Sequence, residues 1–313
     1  MTLMLFILIG ILFLMLVSGG YIFGIACLRA KELPWLDKIA LRKTPYGKFG
    51  DHIAAGDRWL KEHGAQELTI KSHDGLALCA LWVPANKPKG TAMLVHGYRS
   101  CFLADFGLAF DMYHNMGFNL LLPYQRSHGK SRGICITFGV KESEDMRRWI
   151  VYHNTTLGEY PMLVSGLSMG ASTVMYMADK DLPANVFGLI ADCGFTSPKE
   201  ILAHVYRRTI HLPPCLSMWA AELFARLFAG FRLDEKDSRR CLSSSKLPVA
   251  LIHGADDDFV PCNMSIEAYD ACKSPKSLLI VEGAGHGVSY LKDKERYTDF
   301  VVNFIRKNIR NVS

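Results

Sequence analysis

Ser168 is the residue in this chain whose surroundings best suit nucleophilic chemistry. It lies in Leu163-Val164-Ser165-Gly166-Leu167-Ser168-Met169-Gly170, an apolar run ending in Gly-x-Ser-x-Gly. The helix-forming segment Ala171-Ser172-Thr173-Val174-Met175-Tyr176-Met177 follows directly. A serine hydroxyl attacks an acyl carbon only when a turn lifts it clear of the sheet and a base takes its proton. Glycines on either side permit the strained backbone and close packing of such a turn. The turn also sets Ser168 at a helix N-terminus, where unpaired backbone N–H groups can hold an oxyanion.

The base must come from elsewhere in the chain. Of eleven histidines, His286 stands among small residues in Gly283-Ala284-Gly285-His286-Gly287, directly after the apolar run Ser277-Leu278-Leu279-Ile280-Val281. A histidine at such a strand end can swing into a cleft. A carboxylate is then required to fix its tautomer and stabilise the imidazolium. The apolar run Pro248-Val249-Ala250-Leu251-Ile252-His253-Gly254 empties into Ala255-Asp256-Asp257-Asp258-Phe259-Val260-Pro261, which offers three adjacent aspartates.

At these residues the chain resembles the α/β-hydrolase superfamily, in particular its serine hydrolases and esterases. The family's strand-seven ending, His-Gly-x-x-Asp-x-x-Val-Pro, places the acid on Asp257 and leaves Asp256 and Asp258 solvated or turn-forming. The order Ser168, Asp257, His286 is the one this fold imposes. Upstream, Ala92-Met93-Leu94-Val95-His96-Gly97-Tyr98 is another apolar strand ending in His-Gly. In the family the next residue supplies an oxyanion-hole amide, which implies the backbone N–H groups of Tyr98 and Met169. Pro123-Tyr124-Gln125-Arg126-Ser127-His128-Gly129-Lys130-Ser131-Arg132-Gly133 is similar to the family's Asp-x-Arg-x-x-Gly-x-Ser-x-Gly stretch, with Tyr124 where the aspartate is usual. That departure touches a structural loop, and Arg126 and His128 are read as loop braces ahead of substrate anchors.

The elements that must position these residues follow the same fold class: α/β, a doubly wound, mostly parallel sheet. A first hairpin is expected from Leu68–Lys71 and Ala77–Val83 around His73-Asp74-Gly75. Parallel strands are expected at Met93–Gly97, Phe118–Leu122, Met162–Gly166, Val186–Ala191, Val249–Gly254 and Leu278–Val281. Helical segments alternate with them, which puts sites at the strand C-terminal ends. The hydrolase domain is expected over 67–313, with a helical cap inserted at about 196–246. In that insertion Leu216, Trp219, Leu223, Leu227 and Phe231 recur at helical spacing between Pro213-Pro214 and Gly230, an apolar face that must be covered. Packing on the main domain and lining an acyl pocket are compatible roles, and the fall of Trp219, Phe224 and Phe228 over Ser168 would shape such a pocket.

The first 28 residues carry no charged side chain and read as a transmembrane anchor. At 1.5 Å per residue they reach about 40 Å, more than the roughly 30 Å hydrocarbon core. A cleaved signal would start with basic residues, which are absent. Ile25-Ala26-Cys27 matches a lipoprotein processing site only in part. A basic juxtamembrane segment and lead-in helix occupy 29–66, with Arg29, Lys31, Lys38, Arg42, Lys43 and Lys48 against Glu32 and Asp37 before Gly50. By the positive-inside rule the protein is single-pass with a cytoplasmic catalytic domain.

The net charge of +6 owes much to that segment, and no nucleic-acid module accompanies it. No Gly-rich phosphate loop is present, so no cofactor is expected. Nine scattered cysteines, an odd number, imply neither a disulfide framework nor a metal site, and Cys79 and Cys193 read as small core residues. Asn154-Thr155-Thr156 is a glycosylation sequon that matters only in a secretory lumen. The expected activity is cleavage of a small-molecule carboxylic ester through an acyl-enzyme. Peptidase, thioesterase and lysophospholipid or monoacylglycerol lipase readings share the same residues. A non-catalytic binding protein on this fold would reveal itself by a missing nucleophile, base or acid, and all three positions are filled. A dehalogenase would carry an aspartate in place of Ser168.

Overall fold

The structure, a computed structural model, describes residues 2–210 and 215–309. Its eight strands are β1 (Gln66–Lys71), β2 (Ala77–Val83), β3 (Gly90–Val95), β4 (Phe118–Pro123), β5 (Met162–Leu167), β6 (Val186–Asp192), β7 (Val249–Gly254) and β8 (Lys276–Val281). They form one sheet in the order β1-β2-β4-β3-β5-β6-β7-β8. Only β2 runs against its neighbours, and the pairings from β4 to β8 are all parallel. Every residue of β3, β4, β6 and β7 is buried. That is why these strands read as continuous apolar runs, whereas edge strand β1 alternates.

The principal helices are α1 (Thr2–Cys27), α2 (Gly50–Glu62), α3 (Glu142–Tyr152), α4 (Met169–Met177), α5 (Pro198–Ile210), α6 (Cys215–Phe224), α7 (Cys262–Ala271) and α8 (Lys294–Asn308). One face of the sheet is covered by α2, α8 and the short helices Phe102–Phe106 and Phe110–Asn115, through Leu60, Phe106, Phe110, Tyr113, Tyr297 and Phe304. On the other, α3, α4 and α7 bury Met146, Trp149, Val174, Met175 and Ala268. The strand C-terminal ends of β3, β5, β6 and β7 therefore open onto a single edge of the sandwich.

Among the described helices, α1 alone is long and apolar enough to cross a membrane. Thr2–Leu14 is exposed, but from Met15 onward one side of α1 lies on α6. Gly19 faces Ala220 and Ala221 so closely that a Cβ there would run into both. Ser18 and Ser217 share a hydrogen bond at 2.7 Å, and Phe23 stacks on Phe224 with ring centroids 6.2 Å apart. Small residues let helix backbones approach this closely. The last carbonyls of α1 are capped by side chains from another part of the chain. Arg99 Nη2 donates to Ile25 at 2.6 Å, and the Tyr98 hydroxyl donates to Ala26 at 2.9 Å.

The helical face expected to be covered between β6 and β7 is covered only in part: Phe231 is buried and Leu223 half-buried. Trp219 is 52% exposed and Leu227 67% exposed, while Ala220, Ala221 and Ala225 are buried. A π-helical turn at Ala225–Ala229 shifts the side-chain register, and Gly230 ends it in the left-handed conformation at φ 62°. The apolar partner is α1, whose contact selects the small residues. Pro213 and Pro214 lie outside the described residues.

Candidate active site

Between β5 and α4 the backbone turns sharply at Ser168, with φ 56° and ψ −117°. A non-glycine residue held there costs on the order of 1–3 kcal/mol, so the surroundings must enforce it. They do so by packing. A Cβ on Gly166 would meet the Gly170 carbonyl, and one on Gly170 would meet the Val95 carbonyl of β3. The Ser168 N–H is also pinned to the Asp192 carbonyl at 2.8 Å.

Ser168, His286 and Asp257, far apart in sequence, form one hydrogen-bonded chain. Ser168 Oγ is 2.9 Å from His286 Nε2, and His286 Nδ1 is 2.7 Å from Asp257 Oδ2. Because Nδ1 faces a carboxylate it carries the proton, and Nε2 is left to accept from the serine hydroxyl. Asp257 Oδ1 accepts from the backbone N–H groups of Phe259 at 3.0 Å and Val260 at 2.9 Å, which fixes the loop after β7. Burial opposes ionisation of Asp257, yet hydrogen bonds from His253 and His286 hold it well below the usual carboxylate range. Asp256 is exposed, and Asp258 points outward to Arg208.

His253 was legible as part of the His-Gly pair ending β7 but had no role on sequence grounds. It is fully buried, and its Nε2 faces Asp257 Oδ2 at 3.1 Å and the Val260 carbonyl at 2.9 Å. Two acceptors require the proton on Nε2, so Nδ1 accepts from the Ser265 hydroxyl at 2.6 Å. Asp257 is thus clamped by two histidines, one facing Ser168 and one behind it.

The N–H groups of Tyr98 and Met169 donate to no acceptor among the described residues, and Met169 opens the first turn of α4. The loop bearing Tyr98 is heavily braced. Asp105 accepts from Gly97 N–H and from the Ser100 hydroxyl, both at 2.6 Å. Arg99 sits at φ 50°, and its N–H donates to His128 Nε2 at 2.9 Å. His128 in turn donates from Nδ1 to the Arg126 carbonyl at 2.9 Å. Arg126 is buried and grips Asp145 with two bonds, at 2.6 and 2.7 Å, and reaches Asp74 at 3.0 Å. Arg126 and His128 are loop braces in this arrangement. Tyr124 packs on Phe102 and leaves this network untouched.

A cavity of about 520 Å³ opens beside Ser168 and His286. Its walls come from Tyr46, Phe49 and His52, from the Phe102–Phe106 and Phe110–Asn115 region, and from Val288, Tyr290 and Tyr297. None of the described residues between β6 and β7 lines it, and Phe224 and Phe228 pack instead on Phe23 of α1. Two buried acids also line the cavity, Asp105 and Asp192. Burial pushes each up to about 6. Neither lies in a recognisable motif, and the wall from 45–52 depends on packing across the whole chain. The thiol of Cys193 lies close to Asp257 and His286, but burial pushes it far above its ordinary value, so it stays protonated and serves as a small packing group.

No protein-family profile matches the chain. It is 28% identical to the uncharacterised protein YqkD of Bacillus subtilis, over 75% of this chain and 77% of that one. To the uncharacterised protein YfhR of Escherichia coli K12 it is 23% identical, over 82% and 84%. Among solved structures it superposes on the Pyrococcus furiosus esterase Pf2001 with a TM-score of 0.66 at 24% identity, covering 80% of this chain and 94% of that one. The α/β hydrolase GrgF from Penicillium gives a TM-score of 0.62 at 17% identity, over 79% and 99%. The chain has the α/β-hydrolase fold. In that fold Ser168 occupies the sharp strand-to-helix turn between β5 and α4, and the turns after β7 and β8 carry Asp257 and His286.

Proposed function

We propose that this protein is a serine hydrolase that cleaves a carboxylic ester through an acyl-enzyme. The observation that carries the reading is the unbroken chain from Ser168 Oγ through His286 to Asp257, at 2.9 and 2.7 Å. His286 Nε2 takes the hydroxyl proton as Ser168 Oγ bonds to the acyl carbon. The Tyr98 and Met169 N–H groups take the developing oxyanion. Collapse breaks the ester C–O bond, and His286 passes its proton to the departing alkoxide. Water then attacks the acyl-enzyme by the same route, releasing the acid and restoring Ser168. Asp257 stays ionised throughout and holds His286 in the productive tautomer. Esterases among the solved structures of the same fold support this choice of bond.

In the same reading α1 is a single-pass anchor and the catalytic domain is cytoplasmic, supported by the uncharged length of α1 and the basic residues that follow it. The deciding experiment is labelling of the membrane-bound protein by a fluorophosphonate probe, wild type against Ser168→Ala. Labelling and ester hydrolysis that vanish together in the variant support the proposal. Near-normal hydrolysis by a pure, folded Ser168→Ala protein ends it.

A further inference from the structure

The cavity beside Ser168 is bounded by aromatic rings, yet its polar groups are not all satisfied. Among the described residues seven buried side-chain polar atoms have no hydrogen-bond partner, and two of these residues, Asp192 and His52, line this cavity. Asp192 is the more demanding. Its side chain ends β6 at 3% exposure, and Oδ1 accepts from nothing. A buried carboxylate oxygen left empty costs on the scale of a whole hydrogen bond or more, so such groups persist where something arrives to fill them. Its backbone carbonyl receives the Ser168 N–H at 2.8 Å, which fixes the two residues side by side. Asp105, the other acid of the cavity, already holds two donors and has no such vacancy.

We propose, building on the hydrolase reading, that Asp192 is a specificity residue: it accepts a hydrogen bond from a hydroxyl or ammonium group on the part of the substrate that enters the cavity. The substrate is then a polar ester with a donor placed a short distance from the scissile carbonyl, and a plain alkyl ester is the poorer one. The surrounding rings of Tyr46, Phe49, Tyr113 and Tyr290 cover the apolar carbons between ester and donor. A site built to pair with a substrate donor penalises the analogue that lacks it far more than an apolar pocket penalises an extra hydroxyl. Asp192 also lies near His253, His286 and Asp257, so a purely electrostatic effect on the triad must be separated from recognition.

The test uses the full chain in nanodiscs and matched nitrophenyl esters: hexanoyl, 6-hydroxyhexanoyl and 6-aminohexanoyl. A second set carries the same groups on the alcohol side. In one of the two sets the wild type should favour a donor-bearing ester over its alkyl match by at least tenfold in kcat/KM. Asp192→Asn should remove the preference for the amine and retain part of that for the hydroxyl, and Asp192→Ala should remove both. An amine preference identifies an ammonium substrate, and a hydroxyl preference alone identifies a neutral one. The proposal is overturned if the wild type favours the alkyl esters, or if the variants slow every ester by one factor and leave the ratios unchanged. Fluorophosphonate labelling of Ser168 runs in parallel. Absence of labelling on folded wild type removes the hydrolase reading and this inference with it, whereas labelling with flat ratios removes the inference alone.

Discussion

The Tyr98 hydroxyl donates to the carbonyl of Ala26 at 2.9 Å, so the residue whose amide is proposed to hold the oxyanion also caps the last turn of α1. Side chain and backbone of Tyr98 thereby serve different ends. Tyr98→Phe keeps the amide and loses the cap. It should cost about 1 kcal/mol in thermal unfolding while turnover stays within a few-fold of wild type. Calorimetry and steady-state kinetics on the same preparation check this.

Ser168→Ala and His286→Ala should each lower ester turnover by about 10⁴-fold or more, with circular dichroism unchanged. Asp257→Asn should lose about 10³–10⁴-fold, because an amide beside His286 Nδ1 permits the wrong tautomer. Active-site titration before each kinetic run excludes a wild-type contaminant.

His253 stabilises the ionised form of Asp257 from behind. His253→Leu removes that N–H and also strands the Ser265 hydroxyl and the Val260 carbonyl. Stability should fall by about 2–4 kcal/mol. The carboxyl loses a donor to its charged form, so its pKa rises and the acid limb of kcat/KM moves to higher pH. His253→Gln, which can still donate, should restore part of that limb, and a pH profile of the three proteins distinguishes them.

Burial raises Asp192 to about 6, against the charge of His253, the nearby Tyr297 hydroxyl and the charge of His286, with Asp257 adding to the rise. The folded protein therefore binds this proton more tightly than the unfolded chain, and its stability falls as pH climbs from about 4 to about 6. Asp192→Asn has no such loss. The two proteins should melt alike near pH 4, and the variant should be more stable by roughly 2–3 kcal/mol above pH 6.5. A gain of this kind on removing a charged group is the usual mark of a site that trades stability for function.

Gly19→Leu should part α1 from α6, since even a Cβ there meets Ala220 and Ala221. The cost is about 1–3 kcal/mol of overpacking, read as a lower melting temperature, and rotation of Phe23 away from Phe224 should change protease access to the α6 region.

All eight strands were legible because both faces of the sheet are covered, which turns each inner strand into an apolar run bounded by glycine or proline. Ser168, Asp257 and His286 were legible for a related reason: each sits at the end of such a run in a short local pattern. What could not be read was whatever depended on distant packing. The side of α6 that is buried follows from Gly19, some two hundred residues away. The cavity wall at Tyr46, Phe49 and His52 comes from a stretch that reads as a basic lead-in. Asp105 and Asp192 have no neighbours in sequence that mark them, and only the unpaired Oδ1 of Asp192 singles it out.

The joint between α1 and the body makes α1 a strut instead of a tether. Only Thr2–Leu14 projects freely, and thirteen residues at 1.5 Å each reach about 20 Å, roughly two-thirds of a bilayer's hydrocarbon thickness. A membrane that takes in the whole of α1 must therefore also wet Trp219, Leu227 and Phe228 with acyl chains. In the anchored-hydrolase reading the height of the cavity beside Ser168 above the lipid is then set by side-chain packing, and substrate must come to that height to be cut.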